Sequence, residues 1–170
     1  MVDGLQRIAI VNRGEAAMRL IHAVRELGHE QGRDLRSIAL HTAAERRAMF
    51  VREADEAVCI DERGRPVGAG SPYLDLDVLG AALVAARADS AWVGWGFVAE
   101  RPEFAELCDR LGVVFIGPSA EVMRTLGDKI GAKLLAEKAG VPVAASSSDS
   151  SITLRMPRPP PPAVALIISG

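Results

Sequence analysis

Three short motifs hold the residue types that could do chemistry, and the first is Asn12-Arg13-Gly14-Glu15. It follows an apolar run that is typical of a buried strand, and it precedes a segment of helix length. Backbone N–H groups at a helix start attract anions, and ligands of open α/β sheets bind at the carboxyl edge of the strands. The motif has one glycine and lacks the G-x-G-x-x-G dinucleotide fingerprint. The alternative interpretation is a tight turn, with Asn12 as a helix cap and Arg13 and Glu15 as surface charges.

The second motif is Trp92-Val93-Gly94-Trp95-Gly96-Phe97, which again follows a strand-like run. Two glycines among aromatic rings let the backbone approach a ligand closely while the rings form walls. The motif therefore favours a binding loop. The alternative is that the first tryptophan and the phenylalanine belong to the core and that the glycines only form a turn.

The third motif is Gly117-Pro118-Ser119, followed by Leu126-Gly127-Asp128-Lys129. A lysine beside a glycine and an acid on a helix could reach a phosphate group as a point charge. The alternative is a solvated basic stripe, because Lys129 and Lys133 share one helix face.

Other patterns of catalytic or metal-binding residues are absent from the sequence. The three histidines, His22, His29 and His41, show no HxxxH spacing and no nearby carboxylate pair. The two cysteines, Cys59 and Cys108, form no CxxC motif, so neither a zinc site nor a disulfide framework is indicated. The G-x-S-x-G nucleophile motif is also missing. The residues alone therefore predict binding loops but no complete active site.

Apolar runs of strand length alternate with amphipathic segments of helix length, and these elements must position the motifs. Each strand candidate is nearly all apolar, as in a parallel sheet buried on both faces. The alternation predicts an α/β fold with an open, doubly wound parallel sheet and helices on both faces. The expected strands are Arg7–Val11, Leu35–His41, Ala57–Ile60, Ala91–Val93 and Val113–Ile116, and the expected helices are Glu15–Leu27, Ala44–Ala54, Asp75–Arg87, Glu103–Leu111 and one from about Ala120.

Small residues mark where the helices should begin and end. Gly28, Gly112 and Gly140 fall where a left-handed C-terminal cap is expected. Ser119 can cap the helix that begins near Ala120.

Two segments are predicted to be irregular. Residues 61–72 mix glycines with prolines and are expected to form a loop. Residues 145–170 open with a serine run and carry four successive prolines, Pro159–Pro162, which fit neither a helix nor a central strand. We therefore expect a folded domain over residues 1–144 and a Ser/Pro-rich, disordered tail over residues 145–170.

The composition fits one soluble globular domain with a sizeable core, since 49% of the 170 residues are hydrophobic and 25% are charged. The net charge of -2 provides no basic field for nucleic acid or for an anionic membrane surface. No apolar stretch reaches the roughly 18 residues of a membrane span, and the first residues lack the pattern of a secretory signal. A cytoplasmic protein with neither nucleic acid nor membrane as a partner is expected.

Taken in order, the motifs resemble the amino-terminal part of biotin carboxylase, the ATP-grasp module of biotin-dependent acyl-CoA carboxylases. The resemblance runs from about Arg7 to Val143. The Trp-Val-Gly-Trp-Gly-Phe motif resembles large single-chain, multidomain acetyl-CoA or acyl-CoA carboxylases more than bacterial-type members, which usually have His-Pro-Gly-Tyr-Gly-Phe. Seven segments carry the resemblance: Ile8–Glu15, Ala54–Ile60, Ser71–Leu74, Gly94–Phe97 with Glu100, Phe115–Pro118, Gly127–Lys129 and Ala139–Pro142.

The resemblance implies a Rossmann-like, pre-ATP-grasp domain of an enzyme that carboxylates biotin with bicarbonate and ATP. The implied reaction passes through carboxyphosphate, with magnesium bridging the phosphates. Its implied partners are the remaining carboxylase domains or subunits, namely the ATP-grasp core, the biotin carrier and the carboxyltransferase, and a homodimer is possible. The implied site residues are Lys129 for ATP, Gly94, Trp95 and Gly96 for the loop on the biotin and bicarbonate side, and Arg13 and Glu15 for a subunit interface.

The chain departs from the family after Pro142. There the family continues into a glycine-rich phosphate lid, a second nucleotide-binding lysine, and the glutamates and arginines that hold magnesium. Residues 145–170 contain no lysine, no glutamate and one glycine, Gly170. Since charges placed around the phosphates supply most of the rate in phosphoryl transfer, we expect the chain to be inactive alone and its tail to be an off-frame or truncated ending.

Two other functions stay open at this point. One is a non-catalytic short form that binds a nucleotide or a carboxylase subunit. The other is the first domain of a different ATP-grasp ligase, such as carbamoyl phosphate synthetase. The acyl-CoA substrate of the parent enzyme is not encoded here, because a carboxyltransferase would choose it.

The apolar run Ala163–Ile168 near the end of the chain generates a first prediction. Short, β-prone apolar segments associate when they are exposed. We expect the 170-residue chain to form more oligomer or aggregate than a version that ends at Val143, measured by sedimentation velocity at matched concentrations. Equal monomer fractions for the two versions would contradict this expectation.

Overall fold

The computed structural model describes residues 4–61, 70–127 and 129–142, with the backbone alone for residues 129, 130 and 134. Within these ranges, five strands form one sheet in the order β3-β2-β1-β4-β5, and every neighbouring pair is parallel. The expectation of an open α/β sheet is therefore confirmed. The strands are β1 (Arg7–Ile10), β2 (Arg36–His41), β3 (Glu56–Cys59), β4 (Ser90–Trp92) and β5 (Val114–Ile116).

Helices cover both faces of this sheet, as the sequence predicts. Side chains alternate between the faces of a strand, so Ala9 and Ile10 of β1 belong to different clusters of the core. The helices are α1 (Gly14–Gln31), α2 (Met49–Glu53), α3 (Leu76–Ala85), α4 (Pro102–Leu111), α5 (Ala120–Gly127) and α6 (Lys129–Lys138). Ile10 packs with residues of α1 and α2, whereas Ala9 packs with residues of α3 and α4.

Burial is complete in the centre of the sheet and partial at its edges. Ala9 and Ile10 are 0% exposed, whereas Val114 in β5 is 44% exposed. The prediction that all strands are buried on both faces is therefore wrong for the two edge strands, β3 and β5, in which no residue is fully buried. On the α1 side, Trp92 and Ile116 line an apolar groove of about 500 Å³.

The predicted helix over residues 44–54 is not continuous. The chain forms a 3-10 helix at Ala43–Glu45 and then the short helix α2. A capping box closes the first turn, in which the side chains of Thr42 and Glu45 each accept a hydrogen bond from the other residue's backbone N–H. Ala48 before α2 is extended, with ψ 152°. Glu45, in the first of these helices, is also bound by side chains from other elements.

Two of the three predicted glycine caps are confirmed and one is wrong. Gly112 and Gly140 have φ of +69° and +73° and lie just after α4 and α6. Gly28, however, lies inside α1, which continues to Gln31 and is capped by Gly32 with φ +60°. A Cβ on Gly28 would lie 3.0 Å from the carbonyl oxygen of Arg33, so this glycine permits a close backbone approach instead of a helix end.

One further predicted cap is confirmed, whereas most of the residues predicted to be irregular lie outside the described part of the chain. Ser119 Oγ accepts from the N–H of Val122 at 3.3 Å, which confirms the predicted cap of α5. Most of the predicted loop over residues 61–72 and the whole tail over residues 145–170 lie outside the described residues. In the part that is described, none of the helices combines the length and apolarity needed to cross a bilayer.

The position of Gly28 generates the second prediction. In an open helix interior, Gly→Ala stabilises by about 1 kcal/mol, but at Gly28 the added methyl group meets a backbone oxygen that has no rotamer to change. We expect Gly28→Ala to lower the melting temperature in a thermal unfolding experiment. Gly127→Ala is the matched control, since a Cβ there meets nothing within 4 Å, and it should not destabilise. A melting temperature raised by Gly28→Ala would contradict this packing.

Candidate functional site

The first two motifs meet at the point where the strand order reverses. Strand β1 pairs with β2 on one side and with β4 on the other, so the turns after β1 and β4 leave the carboxyl edge of the sheet side by side. This is the crevice in which open α/β sheets bind ligands. The N–H of Val11 donates to the carbonyl of Trp92 at 2.9 Å and extends this pairing into the turns.

Asn12 joins the two turns through its side chain. It is 4% exposed, and its Nδ2 donates to the carbonyl oxygens of Val93 at 2.7 Å and Trp95 at 3.0 Å. Its Oδ1 accepts from the N–H of Arg13 at 2.8 Å. The interpretation of Asn12 as the helix cap is therefore wrong, because Arg13 occupies the N-cap position and the Asn12 amide serves the neighbouring loop.

The loop after β4 has a backbone that only a few residue types adopt. Gly94 and Gly96 have φ of +63° and +73°, in the left-handed region. A Cβ on Gly94 would lie 2.6 Å from the ring of Trp92, so the position excludes larger residues on steric grounds as well. Phe97 also has a positive φ, +46°, which is uncommon for a bulky residue and costs free energy unless its surroundings hold it.

The aromatic residues of this loop have different roles. Trp95 is 60% exposed at the edge of the crevice, which is compatible with a binding surface. Phe97 packs on Tyr73 with ring centroids 4.8 Å apart. Phe97 and Trp92 are partly buried and pack against the two core clusters, as the core alternative predicts, whereas Trp95 is presented to solvent. The role of this loop in binding stays a prediction.

Four side chains from four separate segments form a closed ring of contacts beside the loop. The Arg13 guanidinium lies 5.5 Å from the centre of the Phe97 ring and 3.2 Å from Glu45 Oε1. Glu45 Oε2 accepts from the Tyr73 hydroxyl at 2.9 Å, and Tyr73 packs on Phe97. We call Arg13, Glu45, Tyr73 and Phe97 the latch ring. It fixes the strained end of the loop to the turn after β1.

The latch ring also sets the protonation of its acidic members. Burial alone would raise the pKa of Glu45, but hydrogen bonds from the Thr42 N–H and hydroxyl, from Tyr73 and from Arg13 outweigh it, so that the pKa lies below its usual value. Burial and the adjacent Glu45 carboxylate raise the pKa of the Tyr73 hydroxyl far above its usual value. Glu45 is therefore a carboxylate and Tyr73 a hydrogen-bond donor across the whole physiological range.

The third motif adjoins this crevice from the side of β5. A cavity of about 380 Å³ lies between the loop after β4 and α5. One charged side chain, that of Glu100, lines it within the described part of the chain. Lys129 begins α6 directly beyond this cavity, but its side chain lies outside what the structure describes. The cavity is lined by Ala99, Glu100, Pro118, Met123, Leu126 and Gly127.

Arg13 and Glu15, the residues predicted for a subunit interface, lie at the start of α1. Both line a hollow of about 680 Å³ between α1 and α2, whose floor is formed by apolar side chains. Glu15 also pairs with Arg19 at 2.6 Å across one turn of α1, and both side chains are exposed. The two residues thus lie on one surface, and Arg13 also contacts Glu45 and Phe97 in the latch ring.

Sequence reasoning misses three residues that hold this site. The sequence pattern places Asn12 in a candidate anion-binding turn or as a cap but does not indicate its contacts with the second loop, and it makes neither Glu45 nor Tyr73 a candidate. The spacing Thr42-x-x-Glu45 is a readable capping box and could have placed Glu45 at a helix start. Nothing local to Tyr73 indicates its bond to Glu45, 28 residues away. Among the described residues, no group of three or more His, Cys, Asp or Glu side chains is arranged to hold a metal ion.

The sequence matches a family model for the biotin carboxylase N-terminal domain over residues 4–123. This range includes both turns at the switch point, the latch ring and the loop after β4. The match therefore covers every described residue of the candidate site up to Met123.

Individual relatives and solved structures give the same result. The chain is 40% identical to a biotin carboxylase of Pseudomonas aeruginosa over 143 residues, which are 84% of this chain and 30% of the relative. The solved biotin carboxylase–β-γ-ATP complex from Campylobacter jejuni superimposes with a TM-score of 0.71 at 34% identity, covering 82% of this chain and 29% of that one. A complete multifunctional pyruvate carboxylase from Rhizobium etli superimposes with a TM-score of 0.72 at 32% identity, covering 85% of this chain and 13% of that one. The chain thus spans less than a third of the length of these proteins.

The charge on Glu45 generates the third prediction. Because the pKa of Glu45 is lower in the folded chain than in the unfolded chain, its contribution to stability is complete above the unfolded value of about 4.3 and is lost as the pH falls through the folded value. Glu45→Gln should therefore lower the free energy of unfolding by about 2 kcal/mol at pH 7, and the difference from the parent should shrink toward pH 3. Urea denaturation at several pH values measures both quantities.

A matched control separates this local effect from a change in net charge. Glu30→Gln removes a carboxylate from an exposed position of α1. A Glu45→Gln variant that is as stable as Glu30→Gln at pH 7 would contradict the role given to the latch ring.

Proposed function

The chain belongs to the family of biotin carboxylase N-terminal domains, and on this premise we propose that it forms one wall of an ATP- and bicarbonate-dependent biotin-carboxylating site. In this proposal the loop Gly94–Phe97, held at the switch point of the sheet, faces the biotin and bicarbonate side. The observation that carries the proposal is the position of this loop, which presents an exposed tryptophan between two left-handed glycines at the edge where α/β sheets bind ligands.

The described residues do not form a nucleotide site by themselves. Phosphate groups are bound by cationic side chains and by clustered N–H donors. The cavity beside α5 offers the opposite charge, since Glu100 is the charged residue that lines it in the described part. ATP, magnesium and biotin are therefore proposed as ligands of a complete enzyme, in which Lys129 would supply a cation from this domain.

The short span of the chain relative to its relatives also supports a binding site that is shared with other domains or subunits. It covers 30% of the Pseudomonas relative. We propose that the remaining domains or subunits provide the ATP-grasp core and the groups that hold magnesium, and that a biotin carrier and a carboxyltransferase act with them. The 170-residue chain is proposed to lack carboxylase activity on its own. A cytoplasmic location, a multidomain parent and a homodimer contact through Arg13 and Glu15 stay predictions of the same proposal.

The family match decides between two of the earlier alternatives. It supports a biotin carboxylase over the first domain of carbamoyl phosphate synthetase. A short form that binds a nucleotide or a carboxylase subunit is compatible with the match, and the experiment below distinguishes it.

A chimera generates the fourth prediction. Residues 1–142 would replace the matching segment of the Pseudomonas aeruginosa biotin carboxylase. We expect the chimera to show bicarbonate- and biotin-dependent ATP hydrolysis, and the 170-residue chain alone to show none. In the chimera, Trp95→Ala should raise the KM for biotin about tenfold, or about 1.4 kcal/mol, and leave the KM for ATP nearly unchanged.

The matched control is Val84→Ala, which truncates an exposed apolar side chain on α3, away from the crevice. This variant should leave both KM values unchanged. A folded chimera without biotin-dependent activity would contradict the proposed function. Biotin-independent ATP binding by the chain alone, detected by calorimetry, would favour the short nucleotide-binding form instead.

A further inference from the structure

The side-chain amide of Asn12 uses both of its N–H groups and its oxygen in hydrogen bonds, beside a loop that has positive φ angles. Its two N–H groups donate to carbonyl oxygens of the loop after β4, 81 and 83 residues away in sequence. Its oxygen accepts from the next residue in the chain. The side chain is 4% exposed, so water does not substitute for these bonds.

The two acceptors of Asn12 flank Gly94. The carbonyls of Val93 and Trp95 both accept from Asn12 Nδ2, and Gly94 between them has φ +63°. A Gly94 with an ordinary negative φ would turn one carbonyl away and leave one N–H of a buried amide without a partner. The amide therefore stabilises one conformation of the turn at Gly94.

Consecutive residues of the turn after β1 hold both ends of the loop. Asn12 binds the carbonyls at its start, and Arg13 lies over the ring of Phe97 at its end, as part of the latch ring. Between these two anchors lies Trp95, which is 60% exposed. The backbone of Trp95 thus lies between two anchored positions, and its carbonyl accepts from Asn12.

We propose that Asn12 is a positioning residue, which acts through the backbone of the loop at Gly94 and fixes the position from which Trp95 projects at the edge of the sheet. The inference rests on the proposed function for what Trp95 contacts. The conformation of the loop is a property of this chain, and its test needs neither ATP nor biotin.

Hydrogen exchange of single amides in the full 170-residue chain tests the inference. The N–H of Ala99 donates to the carbonyl of Gly96 at 2.8 Å, so its protection factor reports the order of the loop. In Asn12→Ala we expect the protection of Ala99 to fall about tenfold relative to that of the amides of β2, which lies between two strands.

The matched control is Ser37→Ala. Ser37 is 1% exposed and its hydroxyl donates to Asp55 at 2.7 Å, so this variant also removes a buried hydrogen bond, at the opposite end of the sheet. Because Ser37 lies in β2 itself, this variant should lower the protection of β2 at least as much as that of Ala99, so the ratio of Ala99 to β2 should not fall. Equal loss of protection at Ala99 and in β2 for Asn12→Ala would overturn the proposal.

The variant Asn12→Asp distinguishes the hydrogen bonds that Asn12 donates from the space that its side chain fills. It keeps the shape of the side chain but replaces both N–H donors by a carboxylate oxygen that faces two carbonyls. At pH 8 we expect Ala99 to lose at least as much protection as in Asn12→Ala. At pH 5 the introduced carboxyl is protonated in this buried site, its O–H donates to one carbonyl, and part of the protection returns.

A side chain that only fills space gives the reverse order, with Asn12→Asp mild and Asn12→Ala severe at both pH values. That order would overturn the proposal. If Asn12→Ala does not fold, Asn12→Asp still provides the comparison within one protein, and protection that fails to return at pH 5 would also overturn it. A tenfold effect at Ala99 together with an inactive chimera would keep the positioning role and reject the proposed function.

Discussion

The parallel pairing of β1 with β4 is the constraint on which the site depends. These two strands are far apart in the chain, yet their registered contact places the turn after one beside the loop after the other. The buried core on both faces of β1 holds that register, because a shift by one residue would exchange the side chains of Ala9 and Ile10 between two different clusters. The crevice is thus a consequence of packing in the centre of the sheet.

Around this crevice, strain in the backbone is balanced by polar and aromatic contacts. Three positive φ values follow one another closely at Gly94, Gly96 and Phe97. Phe97, the last of them, belongs to the latch ring, in which the carboxylate of Glu45 accepts hydrogen bonds from Tyr73 and Arg13. A loop that is held in one conformation before any ligand arrives loses less conformational entropy on binding. This property agrees with the proposed function, in which the domain contributes one wall of a binding site.

The sequence predicted the sheet, its approximate strands and the location of the two binding motifs, because apolar runs and glycine spacing are local signals. It misassigned the residues whose roles depend on distant partners. Gly28 has the appearance of a helix cap, but the carbonyl of Arg33 determines its role. Glu45, placed in a predicted continuous helix, binds Tyr73 and Arg13, and the amide of Asn12 has its partners 81 and 83 residues away. Family resemblance identified the motif around Asn12 without revealing this contact.

We infer that the loop after β4 is held in one conformation by contacts within this chain. The most direct measurement is the NMR signal of the Asn12 side-chain NH₂ in the isotope-labelled 170-residue chain. We predict two amide protons whose chemical shifts differ from those of a free asparagine, which are protected from exchange and show nuclear Overhauser contacts to the Hα atoms of Gly94. A pair of rapidly exchanging protons at the chemical shifts of a free asparagine, without such contacts, would contradict this inference.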